Sequence, residues 1–215
     1  MPQLAYILDM DGVLIDSNPF HTIAWREYLS RFGLSADTLM ERMHGKRNDQ
    51  IVRDLFGREL SAEDVFAHGA AKEALYRELM RPQLAAHLVP GVVDFLSRNM
   101  GRPMGVASNA EPANIDFVLD EGRLRGYFQA VMDGHQVSRP KPDPEIYLAV
   151  AGRLGVAPAQ CVIFEDSAAG LEAGRAAGAR IVAVRTTDAP LPPADYEVRD
   201  FHDPGLLTWL SHLES

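Results

Sequence analysis

The chain is 215 residues long, 47% hydrophobic and 24% charged, with a formal net charge of −9. That length holds one large domain or a domain with a small insert, and the acidic balance argues against a nucleic-acid surface, which calls for a basic patch. No apolar run approaches the roughly 20 residues that cross a bilayer, and the single Cys161 reads as a small core residue in a reducing compartment.

The first predicted element is LAYIL (4–8), a buried strand that runs straight into Asp9, Met10, Asp11 and Gly12. Side chains at i and i+2 of a strand share a face, so Asp9 and Asp11 are expected side by side at its end. Like charges that close repel, more so in a low dielectric, and call for a positive partner. The opening MPQLAYILD lacks the basic start and longer apolar stretch of a secretory signal, so a cytoplasmic protein is expected.

Residues 17–82 then read as helix after helix, with no strand candidate: NPFHTIAWREYLSRFG, SADTLMERMHG, NDQIVRDLFG and SAEDVFAHGAAKEALYRELM. Ser61 with Asp64 fits a loose capping signal, Glu63 lying one place early for a strict box. RPQLAAHLVPG (81–91) is the return linker. From there strands and helices alternate. PMGVAS (103–108), AVMDG (130–134), CVIFED (161–166) and RIVAVR (180–185) are strand candidates. GVVDFLSRN (91–99), PANIDFVLDEG (112–122), PEIYLAVAGRLG (144–155) and SAAGLEAGRAAG (167–178) read as amphipathic helices. Pro112 and Pro144 stand near helix starts, and Gly155 and Gly178 suit helix stops. DAPLPPADY (188–196) reads as a loop.

This order predicts an α/β protein: a Rossmann-like parallel sheet core with helices on both faces, and a small all-helical cap inserted after the first strand. The core is expected over 1–16 and 83–215, the cap over 17–82. Open parallel sheets bind ligands beyond the carboxyl ends of their strands, where the insert emerges as a lid.

Four strand ends carry polar residues: Asp9 and Asp11, Ser108 and Asn109, Lys141 before a helix, and Glu165 with Asp166. Several carboxylates, one lysine and one hydroxyl suit a phosphoryl group bound with Mg²⁺, which takes one or two carboxylates plus water and phosphate oxygens. Asp9 and Asp166 supply carboxylates and Asp11 its main-chain carbonyl. Lys141 and the metal offset the crowded charge, and Ser108 and Lys141 hydrogen-bond the phosphate. Taken singly these residues have blander readings. An Asp-x-Asp-Gly is more often a turn, a serine at a strand end more often a helix cap, and a lone lysine a solvated charge. For Glu165 two readings stay open, a cap on the following helix or a metal contact through water.

Taken together, DMDGVLIDS, VASNA, KPDPEIY and FEDSAAGLEAGRAAGA resemble the four motifs of the haloacid dehalogenase superfamily, in the branch with a helical cap that contains β-phosphoglucomutase-like phosphatases. The resemblance covers essentially the whole chain. It implies that Asp9 is a nucleophile forming an aspartyl phosphate, and that Asp11 protonates the leaving oxygen and then activates water. It also implies that cap residues choose the substrate: His21, Lys46, Arg47 and Lys72 are the candidates, although a histidine on an amphipathic helix is more often packed or on the surface. His44, His68, His87, His135, His202 and His212 form no zinc-ligand spacing.

The function implied is a Mg²⁺-dependent phosphatase acting on a small phosphorylated sugar or polyol. The alternative is β-phosphoglucomutase, which must hold a second phosphate. The family pattern does this partly with Ser-Lys after the second motif, where this chain has Ala110 and Glu111. A non-catalytic binding protein on the same fold is a third reading, disfavoured by four intact motifs. No nucleic-acid or membrane partner is expected, and the sequence sets no oligomeric state, a monomer being compatible with it.

Overall fold

Ala5–Leu8 is buried along its whole length, as the centre of a parallel sheet covered on both faces must be. The computed structural model describes residues 3–35, 48–56 and 59–214. It divides into two compact units, residues 1–16 with 85–215 and residues 17–84. In the first unit β1 (Ala5–Leu8), β2 (Met104–Ala107), β3 (Ala130–Met132), β4 (Cys161–Glu165), β5 (Arg180–Val184) and β6 (Tyr196–Val198) form one sheet. Every pairing is parallel, in the order β3-β2-β1-β4-β5-β6. The order reverses between β1 and β4, and ligands of open α/β sheets bind outside the carboxyl ends at such a point. Leu8 lies opposite Phe164 in the register, so Asp9 and Glu165 follow side by side.

The second unit is helical among its described residues: α1 (Asn18–Ser30), α2 (Asn48–Phe56) and α3 (Ala62–Met80). Pro19 sits at the start of α1, where a missing N–H costs nothing. Ser61 caps α3, its hydroxyl accepting the Asp64 amide at 3.0 Å. The expected helix SADTLMERMHG lies outside the described residues. The return segment forms a 3₁₀ helix, Arg81–His87.

Helices α4 (Val92–Arg98), α5 (Pro112–Asp116), α6 (Glu145–Leu154), α7 (Ala168–Ala176) and α8 (Pro204–His212) complete the first unit. Strand alternation sorts β1 between two cores. Ala5 and Ile7 share one with Ile146, Tyr147 and Val150 of α6. On the other side Tyr6 meets Phe95 of α4 and Phe164, which also meets Phe201. Gly155 and Gly178 follow α6 and α7 with φ of +71° and +81°, the left-handed stops expected.

Three expectations need correction. β1 ends at Leu8, so strand alternation does not carry the two aspartates; a turn does. The run 112–122 is α5 followed by a π turn, Phe117–Glu121. DAPLPPADY is loop only as far as Asp195, because Tyr196 opens β6, whose Tyr-Glu-Val carries an exposed glutamate and shows no apolar run.

Candidate active site

The chain past β1 is fixed residue by residue. The Asp9 amide donates to the Phe164 carbonyl at 3.0 Å, tying the end of β1 to β4. The amides of Leu14 and Ile15 then return to the Met10 carbonyl at 2.9 and 3.2 Å, and the Gly12 amide donates to the Ile15 carbonyl at 2.7 Å. Gly12 has a φ of +77°, and a methyl on it would overlap the Asp166 carboxylate. Both the turn and the neighbour therefore require glycine there. Asp9 is buried, Asp11 and Asp166 half-buried.

A positive partner of Asp9 is Lys141. Its ammonium donates to Asp9 Oδ1 at 2.5 Å, to Glu165 Oε1 at 2.6 Å and to the Ala107 carbonyl at 2.9 Å, which uses all three of its protons. Nζ also lies 4.8 Å from the centre of the Tyr147 ring. The Tyr147 hydroxyl donates to Glu165 Oε1 at 2.8 Å, and the Ser167 amide and hydroxyl each donate to Glu165 Oε2 at 2.9 Å. Both oxygens of Glu165 are thus engaged within the protein. Glu165 is a buried brace for Lys141 that also accepts the Ser167 amide at the start of α7.

Burial and mutual repulsion set the charges. Burial pushes the Asp9 carboxyl up to about 8 against the pull of Lys141, with Glu165 and Asp11 adding to the rise. Burial, then repulsion from Glu165, Asp9 and Asp11, raises Asp166 well above the carboxylate range. For Glu165 burial is outweighed by Lys141, and its carboxyl is lowered. Burial disfavours the Lys141 ammonium, yet Asp9 and Glu165 hold it well above a normal lysine. Lys141 and Glu165 make an ion pair, and Asp9, Asp11 and Asp166 still crowd one another.

Such a donor set, all oxygen and electron-rich, fits a hard divalent cation. Among the described residues no three His, Cys, Asp or Glu side chains are arranged to hold a metal. A cation here would rest on two carboxylates, Asp9 and Asp166, with the Asp11 carbonyl and the oxygens of water or phosphate. Mg²⁺ is commonly held in that way.

Ser108 follows Ala107, whose carbonyl takes the third Lys141 bond. It is buried, and its hydroxyl accepts the Ala110 amide at 3.1 Å. The carboxamide oxygen of Asn109 is buried with no hydrogen-bond partner among the described residues, the kind of group a ligand satisfies. In the helical unit His21 and Lys72 come together, with Lys72 Nζ 2.7 Å from His21 Nδ1. Lys72 is buried, donates to Glu73 Oε1 at 2.8 Å and sits 5.2 Å over the Trp25 ring. His21 stacks on Tyr76 at 3.9 Å. Lys46 and Arg47 lie outside the described residues.

Sequence reasoning gave no role to Tyr147, Glu73 or Thr186. Tyr147 left a signal, since a tyrosine on the buried face of a helix must find its hydroxyl a partner. Thr186, whose hydroxyl donates to the Gly12 carbonyl at 2.9 Å, left none.

The model of the family described as "Hydrolase: haloacid dehalogenase-like hydrolase" matches residues 4–178. The chain is 38% identical over 182 residues to the fructose-1-phosphate phosphatase YqaB of Escherichia coli (strain K12), covering 83% of this chain and 95% of the relative. It is 32% identical over 198 residues to hexitol phosphatase B of the same organism, covering 88% and 87%. The crystal structure of β-phosphoglucomutase from Clostridium difficile superposes with a TM-score of 0.84 at 25% identity, over 99% of each chain.

Proposed function

This chain belongs to the haloacid dehalogenase-like hydrolase family, in its β-phosphoglucomutase-like subfamily with a helical cap, and is a phosphatase by kinship; we propose that it releases phosphate from a small sugar or polyol phosphate through an aspartyl phosphate on Asp9. One observation carries the reading. Lys141 bridges Asp9 and Glu165 at the switch point of the sheet, which puts a buried positive charge beside a buried carboxylate nucleophile.

In the first step an Asp9 oxygen bonds to phosphorus as the bond from phosphorus to the alcohol oxygen breaks, and Asp11 in its acid form gives that oxygen a proton. In the second, water attacks the same phosphorus while the Asp11 carboxylate takes a proton from it. Phosphate leaves and Asp9 is restored. Lys141 sets its charge beside the reacting centre, and Ser108 offers its hydroxyl to a non-bridging oxygen. Mg²⁺, held by Asp9, Asp166 and the Asp11 carbonyl, would neutralise charge on the phosphoryl oxygens and favour ionised Asp9.

The substrate class is supported by the relatives named for fructose 1-phosphate and for hexitol phosphates. Likeness to a β-phosphoglucomutase keeps a mutase as the second reading. Ala110 and Glu111 weigh against it, since a glutamate at that position repels a second phosphate. The experiment is a screen of sugar and polyol phosphates with Mg²⁺ and with chelator, scored for phosphate and for isomerised sugar. The reading expects phosphate release that chelation abolishes. Efficient isomerisation of β-glucose 1-phosphate with little phosphate would favour the mutase.

A further inference from the structure

We propose that Thr186 is a positioning residue for Asp11, acting through the Gly12 peptide; the proposal rests on the phosphatase reading above. Thr186 stands in the loop between β5 and β6, half-buried, and is separated from Gly12 by 174 positions. Most of the turn after Asp9 is held by its own backbone. The Met10 carbonyl takes the Val13, Leu14 and Ile15 amides at 3.3, 2.9 and 3.2 Å, and the Ile15 carbonyl takes the Gly12 amide. The Gly12 carbonyl is different, because it accepts a side-chain hydroxyl from another strand end at 2.9 Å.

The two bonds at Gly12 fix the two peptide planes that meet there. Its amide shares a plane with the Asp11 carbonyl and is set by Ile15. Its carbonyl is set by Thr186. Glycine has the widest backbone freedom of any residue, and Gly12 cannot be replaced because Asp166 occupies the space a side chain would need. Within the turn this peptide has the long Val13 bond to Met10, at 3.3 Å, and the Thr186 hydroxyl adds a shorter one from outside, at 2.9 Å. Without the hydroxyl, the long Val13 bond is left to hold the peptide between Gly12 and Val13, the turn loosens, and the adjacent Asp11 carboxyl shifts relative to the leaving oxygen. A misplacement of about 1 Å can cost on the order of 10²-fold in rate.

Leaving-group dependence separates this role from mere loop anchoring. A poorly acidic leaving group needs the Asp11 proton, whereas p-nitrophenolate does not. kcat/KM is measured on phenyl phosphate and p-nitrophenyl phosphate for wild type, Thr186→Val, Thr186→Ser and Asp11→Asn. Thr186→Val is expected to lose about tenfold on phenyl phosphate and under about threefold on p-nitrophenyl phosphate. Thr186→Ser is expected to restore both, and Asp11→Asn to show the same bias more strongly. Equal loss on both substrates in Thr186→Val, or no loss, while Asp11→Asn keeps the bias, overturns the proposal and leaves the phosphatase reading standing. If Asp11→Asn itself shows no bias, the acid–base role of Asp11 fails and the proposal falls with it. Should Thr186→Val not fold, Thr186→Ala on the same two substrates gives the same decision.

Discussion

The Lys141 ammonium lies 2.5 Å from the Asp9 carboxylate, and its second bond, to Glu165, joins the end of β1 to the end of β4. All three side chains are buried. Removing one partner of such a pair strands an uncompensated charge, at a cost of roughly 3–5 kcal/mol. Lys141→Met is therefore expected to lower the denaturant midpoint as well as to abolish turnover. A variant with wild-type stability would mean that the bridge is not formed.

Gly170 tests the same bridge from behind. Alanine for glycine inside a helix ordinarily gains about 0.5–1 kcal/mol. Here a methyl would overlap the Glu165 carboxylate, which Lys141, Tyr147 and Ser167 all hold in place. Gly170→Ala should instead lose about 1–3 kcal/mol, the usual cost of overpacking, and should reduce kcat. Thermal unfolding of the variant decides the sign.

A pH effect is expected far from the site. Glu214 accepts hydrogen bonds from both terminal nitrogens of Arg102 and from the Leu4 amide, which pins the end of the chain beside β1. The Arg102 guanidinium holds the Glu214 carboxyl below the usual range, with the Leu4 amide assisting. A carboxyl lowered in the folded state stabilises fully above its unfolded pKa and loses that stabilisation as pH falls through the folded value. Glu214→Gln should thus be less stable than wild type at pH 7, by no more than about 1 kcal/mol for a partly exposed pair. The gap should close in strong acid. A gap that stays constant with pH would remove the ion pair from the explanation.

Much of this arrangement was legible because each signal was local. Strand, turn and helix alternate with their own punctuation, so the parallel sheet and the helical insert after β1 follow from periodicity, Gly155 and Gly178. The crowding of Asp9 and Asp11 called for positive charge between or beside them, and the fold brings Lys141 onto Asp9 from 132 positions away. Three features were not legible. β6 carries an exposed glutamate between Tyr196 and Val198, so unlike the equally short β3 it shows no apolar run. The brace of Glu165 by Tyr147 joins two residues on different elements. The bond from Thr186 to the Gly12 carbonyl involves a backbone acceptor, which no sequence displays.

Phosphate release by Asp9→Asn, beside wild type and with Mg²⁺ present, tests the central claim most directly. The substrates are the sugar and polyol phosphates that wild type hydrolyses. Asparagine keeps the shape of the side chain next to Lys141 but cannot attack phosphorus as a carboxylate. Acid-quenched wild type should carry a phosphoryl group detectable by mass, while the folded variant should carry none and release no phosphate above background. Release by the variant at near the wild-type rate would contradict an aspartyl phosphate on Asp9.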